Sequence, residues 1–280
     1  MTMGNDDRQR RVAAISDMSG FGRCSLTVAL PILSAMGVQA CPVPAMLLSA
    51  HTGYPDPVIR DLTEMLPAYL SHWERLGLRF DAVLTGFLGS ARQADLILPF
   101  LRRQKAAGAK IVVDPAMADN GALYPTCDLA LVEGMRRLAA CADAITPNLT
   151  EALLLTGSDP AAVSPQDADI AALGGRLLAL GCGAAVITGI PDGDRLINAV
   201  CLPGERPLLR PVERVRRSYA GTGDVFSAVL CGALMRGEGL TAAVDTAAGF
   251  VYRSIARTAA DDAPEQDGIR FEPFLRDLCV

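Results

Sequence analysis

Residues 217–237, RSYAGTGDVFSAVLCGALMRG, set two glycines around a threonine, then an aspartate, then an unbroken apolar run. Val225, Phe226, Val229, Leu230, Ala233 and Leu234 are spaced for one face of a helix, and Gly237 is a natural stop. Asp224 then stands at the helix start. Four backbone N–H groups lack intrahelical partners there, and the dipole adds partial positive charge, so the place suits an anion such as phosphate. Gly221 and Gly223 allow backbone to approach such a ligand closely. An aspartate N-cap after a turn fits the same letters, so the rest of the chain has to discriminate.

Upstream, short apolar runs alternate with helical patterns. RVAAIS (11–16) precedes SLTVALPILSAMG, VQACPVP precedes PVIRDLTEMLPAYLSHWERLG, and DAVLTGF precedes ARQADLILPFLRRQKAAG. KIVVDP, LALVEGMRRLAACA, DAITPN and TEALLLTG continue the alternation. This rhythm predicts an α/β fold with a mostly parallel sheet covered by helices on both faces. Gly37, Gly77 and Gly108 follow three of the helical runs, as helix-ending glycines do. After AAVITG (184–189), RLINAVCL and RPLLRPVERV flank PGE and predict an antiparallel hairpin at the sheet edge. SDPAAVSPQDAD (158–169) reads as a surface loop inside one domain spanning 1–280.

Composition narrows the function. Half of the 280 residues are hydrophobic and the net charge is −5 with no basic block, which argues against a nucleic-acid partner. The first residues, MTMGNDDRQRR, are polar and carry no apolar signal core, and no apolar stretch is long and clean enough for a membrane span. Cys24, Cys41, Cys127, Cys141, Cys182, Cys201, Cys231 and Cys279 are scattered without CxxC pairs, and there are two histidines, a pattern that argues against zinc and for reduced thiols in the cytoplasm.

In an open parallel sheet the ligand lies beyond the carboxyl ends of the strands. The residues that follow each apolar run are Asp17, His51 and Thr52, Gly86 and Phe87, Asp114, Asn148 and Glu151, Thr188, and Asp224. Four carboxylates with Asn and Thr gathered after apolar segments exceed what turns require and mark one rim as the site.

SLTVALPILSAMGVQACPVPAMLLSAHTGY, TGFLGS, VVDPAMADNGALY, DAITPNLTEALLL and AGTGDVFSA resemble the ribokinase-like superfamily, and within it the vitamin B6 kinases. The resemblance covers about Arg11 to Arg257 and implies a three-layer sandwich with ATP-dependent phosphorylation of the 5′-hydroxymethyl group of pyridoxal, pyridoxine or pyridoxamine. Asp224 corresponds to the catalytic base, and Gly221, Thr222 and Gly223 to the loop that stabilises the transferring phosphoryl group. Ser16, Asp17, Met46, Leu48, His51, Thr52, Gly53 and Phe87 correspond to substrate contacts. Asp114, Thr146, Asn148, Glu151, Thr188, Arg210, Val212, Thr222 and Gly223 correspond to ATP contacts. Asp114, Asp119 and Glu151 correspond to the acidic residues that organise Mg²⁺, largely through water, and the family leaves room for a monovalent cation and is commonly homodimeric.

The match departs at the first strand. ISDMSG resembles the SDxSG of hydroxymethylpyrimidine kinases, so phosphorylation of hydroxymethylpyrimidine is an alternative, and a catalytically silent vitamer-binding protein is another. Asp17 is expected either to meet the substrate ring, with a partner or a raised pKa, or to be an exposed turn residue. Cys24 reads as structural, and His72 and Trp73 as helix surface or subunit contact.

Overall fold

A computed structural model describes residues 8–163 and 168–279. The polar start at residues 1–7 and the 164–167 portion of the expected surface loop lie outside the described residues. The chain runs β1 (Arg11–Ser19), α1 (Ser25–Ala35), β2 (Gln39–Leu48), β3 (Ile59–Asp61), α2 (Leu66–Arg75), β4 (Ala82–Thr85), α3 (Ala91–Ala106) and β5 (Lys110–Val113). There follow β6 (Ala118–Asp119), β7 (Ala122–Leu123), α4 (Leu129–Ala139), β8 (Ala144–Ile145), α5 (Leu149–Leu155), α6 (Ile170–Leu178) and β9 (Ala185–Asp192). Then come β10 (Arg195–Cys201), β11 (Leu208–Glu213), α7 (Thr222–Met235) and α8 (Leu240–Ala260).

The main sheet has the order β11-β10-β9-β8-β5-β4-β1-β2-β3. Its six central strands are parallel, while β3 on one side and the β10–β11 hairpin on the other run antiparallel, the latter as the PGE turn predicted. Each central strand divides its side chains between two cores, because successive residues point to opposite faces. Ile15, Ile111, Val113 and Ile187 join α2 to α6, whereas Val12, Val112 and Val186 join α1, α7 and α8. This is the three-layer α/β sandwich that the alternation implied. Among the described residues no helix is long and apolar enough to cross a membrane.

The segment 57–77 departs from the reading as one helix. Ile59–Asp61 instead pairs with Met46–Leu48, and α2 begins only at Leu66. The Asp61 carboxylate accepts from both the backbone N–H and the hydroxyl of Thr63, which turns the chain, and Pro67 then opens the helix. Trp73 is half-buried. Its ring packs 5.1 Å from Phe80 and 5.2 Å from Tyr69, against the α2–α3 core, while His72 is exposed.

Candidate active site

α7 begins at Thr222, with Gly221 as its N-cap at φ +76°. A Cβ at Gly221 would fall 1.8 Å from the Arg23 carbonyl oxygen, so only glycine fits. Asp224 is the third helical residue and makes no capping bond, which removes the N-cap reading. Its carboxylate accepts instead from the backbone N–H of Ser25, a residue held at φ +52° at the start of α1. Burial, and after it the nearby charge of Asp114, push the Asp224 pKa well above the carboxylate range.

Under Asp224 lies a small cavity of about 20 Å³ bounded by Ser16, Ser25, Thr85, Gly86 and Ser227. The fully buried Thr85 Oγ1 has no partner among the described residues. Above Asp224 a cleft of about 1660 Å³ runs along the carboxyl ends of the strands, where the topology rule put it. Asp17, Leu48, His51, Thr52, Gly53 and Phe87 line one end, and Asp114, Asp119, Thr146, Asn148, Glu151, Thr188, Val212, Gly221, Thr222 and Gly223 line the middle and the other end.

Three expected contacts are not brought to the cleft. Ser16 opens into the small cavity beneath Asp224. Met46 is buried behind the wall, packed with Leu48 and Phe87. Arg210 is turned onto α8, where Asp245 takes its guanidinium at 2.7 and 2.5 Å.

Asp17 is buried rather than an exposed turn, and burial raises its pKa although Ser19 Oγ donates to its Oδ2 at 2.9 Å and the Ser25 hydroxyl donates as well. Asn148 and Glu151 form a reciprocal capping box on α5. Glu151 Oε2 accepts from Asn148 N–H, and Oε1 from the N–H groups of Met117 and Ala118, so both oxygens are committed. Burial and the Asp114 charge nevertheless raise the Glu151 pKa well above normal. Asp119 is tied to Asn120 through both its oxygens. Asp114 accepts from Ser227 Oγ at 2.7 Å on Oδ2, and burial pushes its pKa to about 6.

Asp114, Asp119 and Glu151 therefore do not converge as a ligand trio, and among the described residues no group of three His, Cys, Asp or Glu side chains could hold a metal. The reason is that the capping box and the 117–118 backbone have claimed Glu151. Buried carboxylates with raised pKa values are nonetheless an environment that a divalent cation relieves. The donor set fits an ion that keeps most of its own waters, as Mg²⁺ does, and not one that needs a protein cage.

Three features escaped the sequence reading. Ser25 carries no motif for its left-handed backbone. Tyr124 stands close enough to Glu151, Asp119, Asp224 and Asp114 for their charges, after burial, to raise its pKa. Arg214, Arg216 and Arg217 are the cations on the cleft wall, a signal visible as the basic run just before AGTGD. Arg216 and Arg217 pair with Asp194 and Asp262.

A mostly parallel sheet with a carboxylate in the first turn of a helix, facing a cleft of about 1660 Å³ at the carboxyl ends of the strands, matches the kinases of the ribokinase-like class. The model of the phosphomethylpyrimidine kinase family matches residues 33–265. The chain belongs to that family. A pyridoxine/pyridoxal/pyridoxamine kinase of Bordetella avium is 32% identical over 91% of this chain and 87% of its own. A crystal structure from Bacteroides thetaiotaomicron, described as a phosphomethylpyrimidine kinase and obtained with pyridoxal, is 36% identical with a TM-score of 0.91 over 97% of this chain and 96% of that one. Pyridoxal kinase from Lactobacillus plantarum is 33% identical with a TM-score of 0.89 over 97% of both chains.

Proposed function

We propose that this protein transfers the γ-phosphoryl group of ATP to the 5′-hydroxymethyl group of a vitamin B6 vitamer. The observation that carries the reading is Asp224: a half-buried carboxylate with no capping bond, with helix N–H groups beside it and an open cleft above it. As the hydroxyl oxygen forms its bond to phosphorus and the bond to the ADP oxygen breaks, Asp224 takes the hydroxyl proton. The N–H groups of the Gly221–Gly223 turn and the α7 dipole face the charge on the phosphoryl oxygens. A raised pKa suits the role, because a base that binds its proton firmly draws the hydroxyl toward alkoxide.

The vitamer ring lies against Leu48 and Phe87, with Thr52 and Asp17 as its polar partners. The nucleotide takes the other end, with its base between Val212 on β11 and Val251 and Tyr252 on α8, all of which line the cleft. Arg214 lines it too and has no side-chain partner among the described residues, which leaves it free for phosphate. Asp114 would hold Mg²⁺ brought in with ATP, Glu151 and Asp119 would support its water shell, and the ion would supply charge neutralisation at the phosphates. Thr146 Oγ1, buried without a partner, suits a monovalent cation. Exposed Met18, Leu47, Val58 and Ile59 at the β1–β2–β3 end offer an apolar face for a second copy, consistent with a homodimer. Eight unpaired cysteines fit the cytoplasm.

The test is phosphorylation of pyridoxal, pyridoxine, pyridoxamine and hydroxymethylpyrimidine by the purified protein with ATP and Mg²⁺. The expected result is a higher kcat/KM for at least one B6 vitamer than for the pyrimidine; the reverse order overturns the assignment.

A further inference from the structure

His51 is held from three sides. Its Nδ1 accepts from the Gly53 N–H at 3.1 Å, and its Nε2 lies 2.7 Å from the Gln266 carbonyl oxygen. A backbone N–H only donates and a carbonyl only accepts, so the ring is the neutral tautomer with its proton on Nε2. The backbone N–H of His51 donates to the Phe21 carbonyl at 3.3 Å. The seat is also steric. A Cβ at Gly22 would lie 2.2 Å from the His51 Cδ2, one at Gly53 2.7 Å from its Cε1, and the Tyr54 ring stands edge-on at 4.9 Å.

The partner segment continues the connection. Tyr54 Oη donates to Asp267 Oδ1 at 2.5 Å, and Arg23 N–H donates to the Asp267 carbonyl. At its other end, Ala220 N–H donates to the Glu265 carbonyl at 3.2 Å, and Ile269 N–H donates to the Ala220 carbonyl at 3.4 Å. Ala220 is the residue before the Gly221 turn that opens α7. Residues 265–269 thus tie the 51–54 loop to the phosphoryl loop, and Glu265 and Gln266 themselves line the cleft.

We propose that His51 is a positioning residue that couples the vitamer loop to the 220–224 loop through the Gln266 carbonyl, and that its ring nitrogens do not contact the substrate. The inference rests on the B6-kinase reading for which reactant sits at the 51–54 loop. Both nitrogens are already committed, so removing His51 takes away no reacting group. It lets two loops that must hold the hydroxyl and the phosphoryl in line move separately. The charged and titratable groups around the joint are Tyr54, Asp267, Glu265 and Arg23, the last paired with Glu272 at 2.6 Å.

Three variants separate the two links. His51→Asn keeps an acceptor near Nδ1 for Gly53, His51→Gln keeps a donor near Nε2 for Gln266, and His51→Ala keeps neither. His51→Ala should lower kcat/KM for pyridoxal roughly 10- to 100-fold with the KM for ATP unchanged, and Gln should restore more kcat than Asn. Amide hydrogen exchange without substrate gives an independent reading: the Ala variant should exchange faster at 51–54 and also at 219–222, and Gln should slow the second site. Unchanged exchange at 219–222 in the Ala variant, or Asn rescuing as well as Gln, overturns the coupling. Should the Ala variant not fold, the comparison of Gln with Asn decides. If the wild-type protein phosphorylates no B6 vitamer the functional reading fails, while the exchange experiment still tests the joint.

Discussion

Ser25, at φ +52°, turns its backbone N–H onto the Asp224 carboxylate and its hydroxyl onto Asp17. One strained residue thus orients the two carboxylates that face the reacting end of the cleft, strain of the kind found where surrounding structure over-determines a functional geometry. Asp224→Asn leaves this frame in place and removes only the proton acceptor. It should cost roughly 10²- to 10⁴-fold in kcat while isothermal titration shows vitamer and nucleotide binding retained; turnover near wild type would remove Asp224 from the mechanism.

Asp17→Ala should weaken vitamer binding roughly 10- to 100-fold, the cost of one charge-assisted hydrogen bond in a desolvated pocket, with ATP affinity intact. Asp17→Asn should be mild if the carboxylate accepts from a neutral ring hydroxyl and as severe as Ala if it meets a protonated ring nitrogen. Calorimetry with pyridoxal and pyridoxamine distinguishes these; equal affinity in all three proteins would place Asp17 outside the substrate site.

Glu151 accepts three backbone N–H groups, and Glu151→Gln replaces one accepting oxygen by a donor. Stability should fall by about 1–3 kcal/mol, the range for a buried donor left unpaired. The Mg²⁺ concentration for half-maximal rate should rise as the 117–119 segment loosens beside the phosphates. Denaturant melts and Mg²⁺ titrations check both. Loss of stability with an unchanged Mg²⁺ titration would confine Glu151 to its capping role.

The pH dependence follows from Asp114. Its pKa is raised by burial from the usual range near 4 to about 6. The folded state therefore binds the proton more tightly than the unfolded state, and the stabilisation is complete below about pH 4 and lost as pH rises through about 6. The melting temperature of the ligand-free protein should fall over that window. Mg²⁺ with ATP competes with the proton and should raise the melting temperature more at pH 7 than at pH 5. Asp114→Asn should flatten the ligand-free slope.

Arg214→Ala should raise the KM for ATP several-fold and leave the KM for the vitamer unchanged, because an arginine that meets phosphate acts on the nucleotide alone. Arg216→Ala, which loses only the exposed pair with Asp194, should have a smaller effect on the same measurement. Equal effects would mean that the loop acts as a diffuse charge.

The alternation of apolar strands with amphipathic helices, the PGE hairpin and the Gly221–Asp224 turn were legible in the sequence by itself, because periodicity and glycine chemistry are local properties of the chain. The rim of polar residues was legible as well, since strand ends are where such sheets keep their ligands. The tertiary structure alone decided which groups hold each member of that rim. Glu151 is spent on Met117 and Ala118, Arg210 on Asp245, and His51 on Gly53 and Gln266. Their partners lie between 2 and 215 residues away, and no motif encodes a contact made across the fold. It alone also set the Ser25 N–H against Asp224, split the 57–77 segment into β3 and α2, and packed the half-buried Trp73 against Tyr69, Phe80 and Phe100. A side chain's committed hydrogen bonds and its burial depend on which surfaces pack together, and a linear pattern of apolar and polar letters does not specify that.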